Sequence, residues 1–193
     1  MIMKDKIHLY VSIAPELERE HEALGRMIPM IPTSLGWEIV YTPRDSQQPN
    51  AQAVTQADAH VLILGDDIRA PLGVEWQMAR WAGRTPALFH QDTLRTLAAD
   101  AFIRELAQQV EWQPYHDVAD LSLKATAWLV GTIARQAMQW AVRADELARL
   151  RAWQKDGAKA NLKLGIDAHG ETAQGGVIFT TERYMPSGGR AVG

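Results

Sequence analysis

The chain has 193 residues, of which 47% are hydrophobic and 22% charged, and its formal net charge is -3. These values are typical of one globular domain with a short appendage, and they argue against the clustered basic surface that nonspecific nucleic-acid binding requires. Because the sequence contains no cysteine, disulfides, thiol nucleophiles and cysteine-ligated metals are excluded. The six histidines form no recognisable metal-binding motif, so no metal site is predicted.

Nothing in the sequence predicts contact with a membrane. The apolar run ATAWLVGTIA has about half of the roughly 20 residues that a spanning helix needs. The first residues, MIMKDKIHLYVS, lack the apolar region and cleavage site of a signal peptide. We therefore expect a cytoplasmic protein.

Strand-like and helix-like segments alternate along the first two thirds of the chain. The predicted strands are KIHLYVSI (6–13), WEIVYTPR (37–44), HVLILGDD (60–67), PALFHQ (86–91) and, more weakly, VEWQPYH (110–116). Helices are predicted after the first strand, within 45–58, over about 73–83, and over 93–109 with Asp92 as N-cap. This order predicts an α/β fold of the flavodoxin-like or Rossmann-like kind, with about five parallel strands and helices on both faces.

The C-terminal part of the sequence has a different character. From Asp120, one long helix is predicted within 121–155, and its second half is expected to leave the core. The segments NLKLGIDA (161–168) and GGVIFTTERY (175–184) are compatible with a β-hairpin packed on the domain or on another subunit, and a flexible tail is the alternative. We divide the chain into an α/β domain (1–140) and an extension (141–193).

Glu75 is the residue that raises the question of chemistry. It falls in the first turn of a predicted helix, where the helix dipole favours a carboxylate whatever its function. Ala79 and Ala82 follow at helical spacing, which leaves room beside the carboxylate for a small ligand. The bulky residues of the same helix are expected to form its core face: Val74, Met78 and Trp81. In a parallel sheet, ligands bind beyond the carboxyl ends of the strands, which places 12–15, 42–44, 65–73 and 90–92 around one crevice.

Two stretches, IHLYVSIAPELEREHEAL and ADAHVLILGDDIRAPLGVEWQMARWAGRTPALF, resemble the pattern of nucleoside 2-deoxyribosyltransferases and of the related TIR-like and DUF4062-type domains. The resemblance covers about residues 6–140. It implies a glutamate that acts on the anomeric carbon of a ribosyl group, as nucleophile in the transferases and as essential acid in NAD-cleaving TIR domains. Glu75 is the matching position, and a carboxylate suits this chemistry because it stabilises an oxocarbenium-like centre.

The same resemblance implies several substrate-binding residues. Asp66 and Asp67 match acidic residues that could hold ribose hydroxyls or the base, and Tyr10 resembles the tyrosine of the transferases' opening motif. Ser12 lies at the start of the first crevice loop, and we include it in the predicted site.

Two positions depart from the transferase pattern. Arg69 stands six residues before the glutamate, where the transferases tend to carry aspartate, and it could pair with the phosphate of a nucleotide. The aromatic residue follows the glutamate, as Trp76, and does not precede it. We include both residues in the predicted site.

These observations lead to two predicted functions. The first is a domain that binds a nucleotide or nucleoside and cleaves or transfers at its N-glycosidic bond through Glu75, with no cofactor and with NAD as a candidate substrate. The alternative is a non-catalytic TIR-like signalling or assembly module that forms homo-oligomers through its C-terminal region. Dehydrogenase and NTPase functions are disfavoured, because neither Gly-x-Gly-x-x-Gly nor a P-loop occurs.

Overall fold

The computed structural model describes residues 5–44, 47–140 and 142–167, with side chains up to residue 156. Five strands form one parallel sheet in the order β2-β1-β3-β4-β5. This is the flavodoxin-like arrangement, and it confirms the predicted fold class. The strands are β1 (Lys6–Ile13), β2 (Gly36–Tyr41), β3 (Ala59–Leu64), β4 (Ala87–Gln91) and β5 (Trp112–Tyr115). The helices are α1 (Glu18–Met27), α2 (Ala51–Gln56), α3 (Leu72–Trp81), α4 (Leu97–Leu106), α5 (Val118–Arg135) and α6 (Ala144–Asp167).

Helices cover both faces of the sheet. Every residue of β3 is buried, as expected for a central parallel strand. Alternate residues of the strands point to opposite faces. On the first face, Val11 and Ile63 pack in one core cluster with residues of α1, α5 and α6. On the second face, Leu62 packs with α3 and α4, while Tyr10 packs with α2 and α3.

The core-facing side of α3 differs from the prediction. Val74 and Trp81 were assigned to the core, but they are 47% and 79% exposed. The buried residues of α3 are Leu72, Glu75, Trp76 and Ala79. Met78 does pack against the core cluster of Tyr10 and Ala79, so the assignment was wrong for Val74 and Trp81 only. It treated the carboxylate as a surface group, whereas hydroxyl partners allow Glu75 to be buried.

The helix after β4 begins later than predicted. Thr96 caps α4, with its side chain accepting a hydrogen bond from the backbone N–H of Ala99 at 3.2 Å, so Asp92 is not the N-cap. Asp92 instead contacts His116 at 3.1 Å in the loops that follow β4 and β5. The tie between Thr96 and the loop after β3, described below, supports this later start.

The predicted single C-terminal helix is divided in two. After α5 ends at Arg135, the chain turns, and the backbone N–H of Val142 bonds to the carbonyl of Ala137 at 2.9 Å. Trp140 is 3% exposed and Leu150 has no exposed surface, and both belong to the core cluster of the first face. The turn lets α6 pack back on α5, so residues near Leu150 remain in the core.

The predicted hairpin is wrong in its first strand, and its second strand cannot be compared with the structure. Residues 161–167, predicted as most of its first strand, belong to α6. The second segment, 175–184, lies outside the described residues. Within the described part of the chain, no helix is long and apolar enough to cross a membrane.

Candidate functional site

A network of buried polar side chains surrounds Glu75. The Tyr10 hydroxyl donates a hydrogen bond to Glu75 Oε1 at 2.6 Å. The hydroxyls of Ser12 and Thr42 donate to Oε2 at 2.6 and 2.8 Å. Glu75 has no exposed surface. Burial of a carboxylate is unfavourable unless it is hydrogen-bonded, and the three hydroxyl donors offset that cost.

His60 extends this network. Its Nε2 lies 2.8 Å from Ser12 Oγ, and burial lowers the pKa of His60 to about 3. The imidazole is therefore neutral near pH 7. Because the Ser12 hydroxyl donates to Glu75, Nε2 is the protonated nitrogen and donates to Ser12. Nδ1 is left as a buried acceptor without a partner among the described residues.

The fold brings these residues together from distant parts of the chain. Tyr10 and Ser12 lie two residues apart on β1, and His60 lies beside Tyr10 in the register of β1 and β3, so all three point to the second face. Thr42 follows the last residue of β2. Glu75 comes from the first turn of α3. The partial positive charge at the N-terminus of a helix favours a negative charge in this turn.

Tyr10 acts as a donor in this arrangement. Burial, together with its hydrogen bond to Glu75, raises the pKa of Tyr10 well above its ordinary value. Its hydroxyl therefore stays protonated throughout the physiological range. The His60 ring lies edge-on to the Tyr10 ring, with centroids 5.3 Å apart, which fixes the position of the phenol.

The crevice expected at the carboxyl ends of β1 and β3 is filled. A Cβ atom placed on Gly65, just after β3, would lie 3.1 Å from Leu17 Cδ2. Leu17 comes from the loop after β1 and is 5% exposed. Arg69 Nε also pairs with Glu16 Oε1 at 3.6 Å, and this ion pair links the loops after β1 and β3. Gly65 thus admits the leucine side chain that closes this end of the sheet.

The two aspartates after β3 serve the loop in which they lie. Asp67 Oδ1 accepts hydrogen bonds from the Ile68 N–H at 2.8 Å and from the Thr96 hydroxyl at 2.6 Å. The backbone carbonyl of Asp66 accepts from the Thr96 N–H at 2.9 Å, and the Asp66 side chain is exposed. These contacts tie the loop to the start of α4.

Trp76 points to another part of the second face. It packs in the apolar cluster with Leu62 and Leu72, and the guanidinium of Arg80 lies 5.6 Å from the centre of its ring. Trp76 therefore belongs to a different core cluster from Tyr10, the partner of Glu75.

The structure brings some of the predicted site residues into contact with Glu75 and places others elsewhere. Tyr10 and Ser12 contact Glu75, whereas Asp66, Asp67 and Arg69 make their contacts in the neighbouring loops. Sequence reasoning placed 42–44 at the crevice without selecting Thr42 as a site residue, and it missed His60. A usable signal existed for His60, because an isolated polar residue in an apolar strand needs a partner.

The site lies where small molecules bind in parallel sheets, but Glu75 has no surface exposed to solvent. Among the described residues, no group of three or more potential metal ligands lies close enough to hold an ion. No protein-family model matches the chain, and no curated protein matches it either. The fold and the site together define a flavodoxin-like α/β protein with a buried carboxylate network at the carboxyl ends of β1 and β2.

Proposed function

We propose that the protein binds a nucleoside or nucleotide and acts on its N-glycosidic bond through Glu75. The observation that carries the proposal is the 2.6 Å contact between Tyr10 and Glu75. These are the two positions that the family resemblance relates to the opening motif and to the acting glutamate. They are 65 residues apart in the sequence and meet in the fold.

The network suits the proposed chemistry. As the glycosidic bond breaks, the base leaves with its electron pair and positive charge develops on the anomeric carbon. A Glu75 oxygen can stabilise that centre or bond to it, and water or an acceptor base then takes the ribosyl group. Hydroxyl donors from Tyr10 and Ser12 would hold the carboxylate in one orientation, which lowers the cost of reaching the transition state.

Access to Glu75 requires a ligand to replace a network partner. Tyr10 and Ser12 are fixed on a central strand, whereas Thr42 lies in the loop after β2. A ribose hydroxyl could replace the Thr42 hydroxyl, because it can both donate to Glu75 and accept from the Ile13 N–H, as Thr42 Oγ1 does. We therefore place the sugar between Glu75 and the loop that begins at Thr42.

The test is chromatographic. Purified protein is incubated with NAD and with a panel of nucleosides, and released nicotinamide or free base is measured. Glu75→Gln keeps the size of the side chain and removes its charge, and Glu105→Gln on the exposed surface of α4 is the matched control. We expect release by the wild type and by Glu105→Gln, and a fall of at least about 100-fold in Glu75→Gln. Equal release by a folded Glu75→Gln protein would contradict the role of Glu75.

The second candidate function is that of a non-catalytic signalling or assembly module, and the burial of Glu75 favours it. Glu75 is 0% exposed, and Leu17 fills the neighbouring end of the sheet. In this case the network stabilises the fold, and function lies in assembly through the C-terminal region. Sedimentation of the full chain and of a chain ending at residue 156 tests it. Absence of release from every substrate, with self-association lost on truncation, would support the module, and a monomeric full chain would contradict it.

A further inference from the structure

A cavity of about 420 Å³ lies at the opposite end of the sheet from the Glu75 crevice. It is lined by the α3–β4 loop, the beginnings of β3, β4 and β5, and the last turns of α5. Its volume is in the range of small-molecule sites. His60 of the Glu75 network is also among its lining residues, but the inference below does not depend on the function proposed above.

Two arginines line this cavity without a carboxylate partner. Arg84 Nε is buried and has no hydrogen-bond partner among the described residues. Among the described residues, Arg135 donates one hydrogen bond, from Nη2 to the neighbouring Thr132 hydroxyl at 3.0 Å. The ion pairs found within the described part of the chain involve other arginines. A buried donor on a charged group that lacks an acceptor is costly, so an acceptor is expected there.

The remaining lining defines what kind of molecule fits. Gln113 and Gln136 supply amide groups, and the half-buried indole of Trp128 supplies an apolar wall. Asp58 and Glu111 also line the cavity, and Asp58 already accepts a hydrogen bond from the His8 N–H at 3.1 Å. The carboxylates would disfavour a ligand that is anionic throughout. A molecule with one anionic group and other uncharged or donor groups fits this lining.

We propose that the cavity binds the carboxylate or phosphate group of a small molecule, with Arg84 and Arg135 as the binding residues. The planar guanidinium presents donors in a fixed fork, which matches two oxygens of either anion. Oxygens of the ligand would accept from the guanidinium groups of Arg84 and Arg135, both of which line the cavity.

The proposal is tested by calorimetric titration at constant ionic strength with three probes: inorganic phosphate, acetate and, as reference, chloride. We expect phosphate or acetate to bind with saturation, and the preferred probe identifies the anionic group. Arg84→Gln should weaken binding by about tenfold or more, because a charge-assisted hydrogen bond is lost. Arg84→Lys keeps the charge but lacks the fork, so it should bind more weakly than wild type. Arg26→Gln, on a residue of α1 whose side chain is 77% exposed, is the control.

Thermal unfolding separates binding from a merely structural role. Phosphate stabilises many proteins by exclusion from their surface, so the informative quantity is the difference between variants. We expect phosphate to raise the Tm of the wild type and of Arg26→Gln by more than that of Arg84→Gln. Equal shifts in all three proteins, or titrations with phosphate and acetate that match chloride, would overturn the proposal.

Discussion

The buried imidazole of His60 leads to a prediction about acid stability. His60 is 1% exposed, and burial lowers its pKa in the folded protein to about 3. In the unfolded chain its pKa returns to about 6.5. Below pH 6.5 the unfolded state takes up a proton that the folded state excludes, so the stability present above that pH is lost as the pH falls. Each pH unit costs about 1.4 kcal/mol, and the interval from pH 7 to pH 5 costs about 2 kcal/mol.

The substitution that tests this is His60→Gln. The amide can donate to Ser12 Oγ from nearly the position of Nε2, but it does not titrate. The free energy of unfolding, measured by urea denaturation between pH 7 and pH 5, should fall by about 2 kcal/mol less in the variant than in the wild type. The other histidines titrate equally in both proteins and cancel. Parallel stability profiles would show that His60 accepts a proton in the folded state, and would refute the neutral buried imidazole.

Three further substitutions test the network and the core, each by urea denaturation at pH 7 unless stated. Tyr10→Phe leaves an acceptor position of Glu75 unpaired and should cost about 1–3 kcal/mol, and a cost below about 0.5 kcal/mol would contradict the 2.6 Å bond. Phe89→Ala removes a ring that has no exposed surface and should cost about 3–5 kcal/mol, whereas a much smaller value would mean that the core refills the cavity. Glu146→Gln tests a buried carboxylate of α6: burial alone would raise the pKa of Glu146, but hydrogen bonds from Ser34 and Thr33 outweigh burial and lower it. The stabilisation by the Glu146 carboxylate is therefore present above the unfolded pKa of about 4.3 and is lost as the pH falls through the lower folded value. The Tm difference between wild type and variant should shrink in that range. A constant difference would contradict a lowered pKa of Glu146 in the folded protein.

Much of the fold was predictable because its signals are local. β1, β3 and β4 are short apolar runs between helix-like segments, and this alternation implies a parallel sheet. The break between α5 and α6 has no such signal, since no proline or glycine occurs at 136–143. It is determined by the burial of Trp140 and Leu150 in the core cluster of the first face, which depends on tertiary contacts.

The candidate site was only partly predictable for a related reason. Glu75 and Tyr10 could be identified by resemblance, but the burial of Glu75 depends on hydroxyls contributed by β1 and by the loop after β2. Thr42 carries no pattern of its own. Its role appears only when the order of the strands places the end of β2 beside β1. Whether a carboxylate in the first turn of a helix faces solvent or the sheet is decided by such distant partners.

The docking of α6 determines where this protein can be shortened. Glu146 accepts hydrogen bonds from the Thr33 hydroxyl at 2.9 Å and from the N–H and hydroxyl of Ser34 at 2.5 and 3.0 Å. A fragment cut after α5 would leave these donors without their acceptor and would remove Leu150 from the apolar cluster. A fragment for crystallisation or NMR should therefore extend at least through residue 156, because the first turns of α6 complete the domain that the five strands begin.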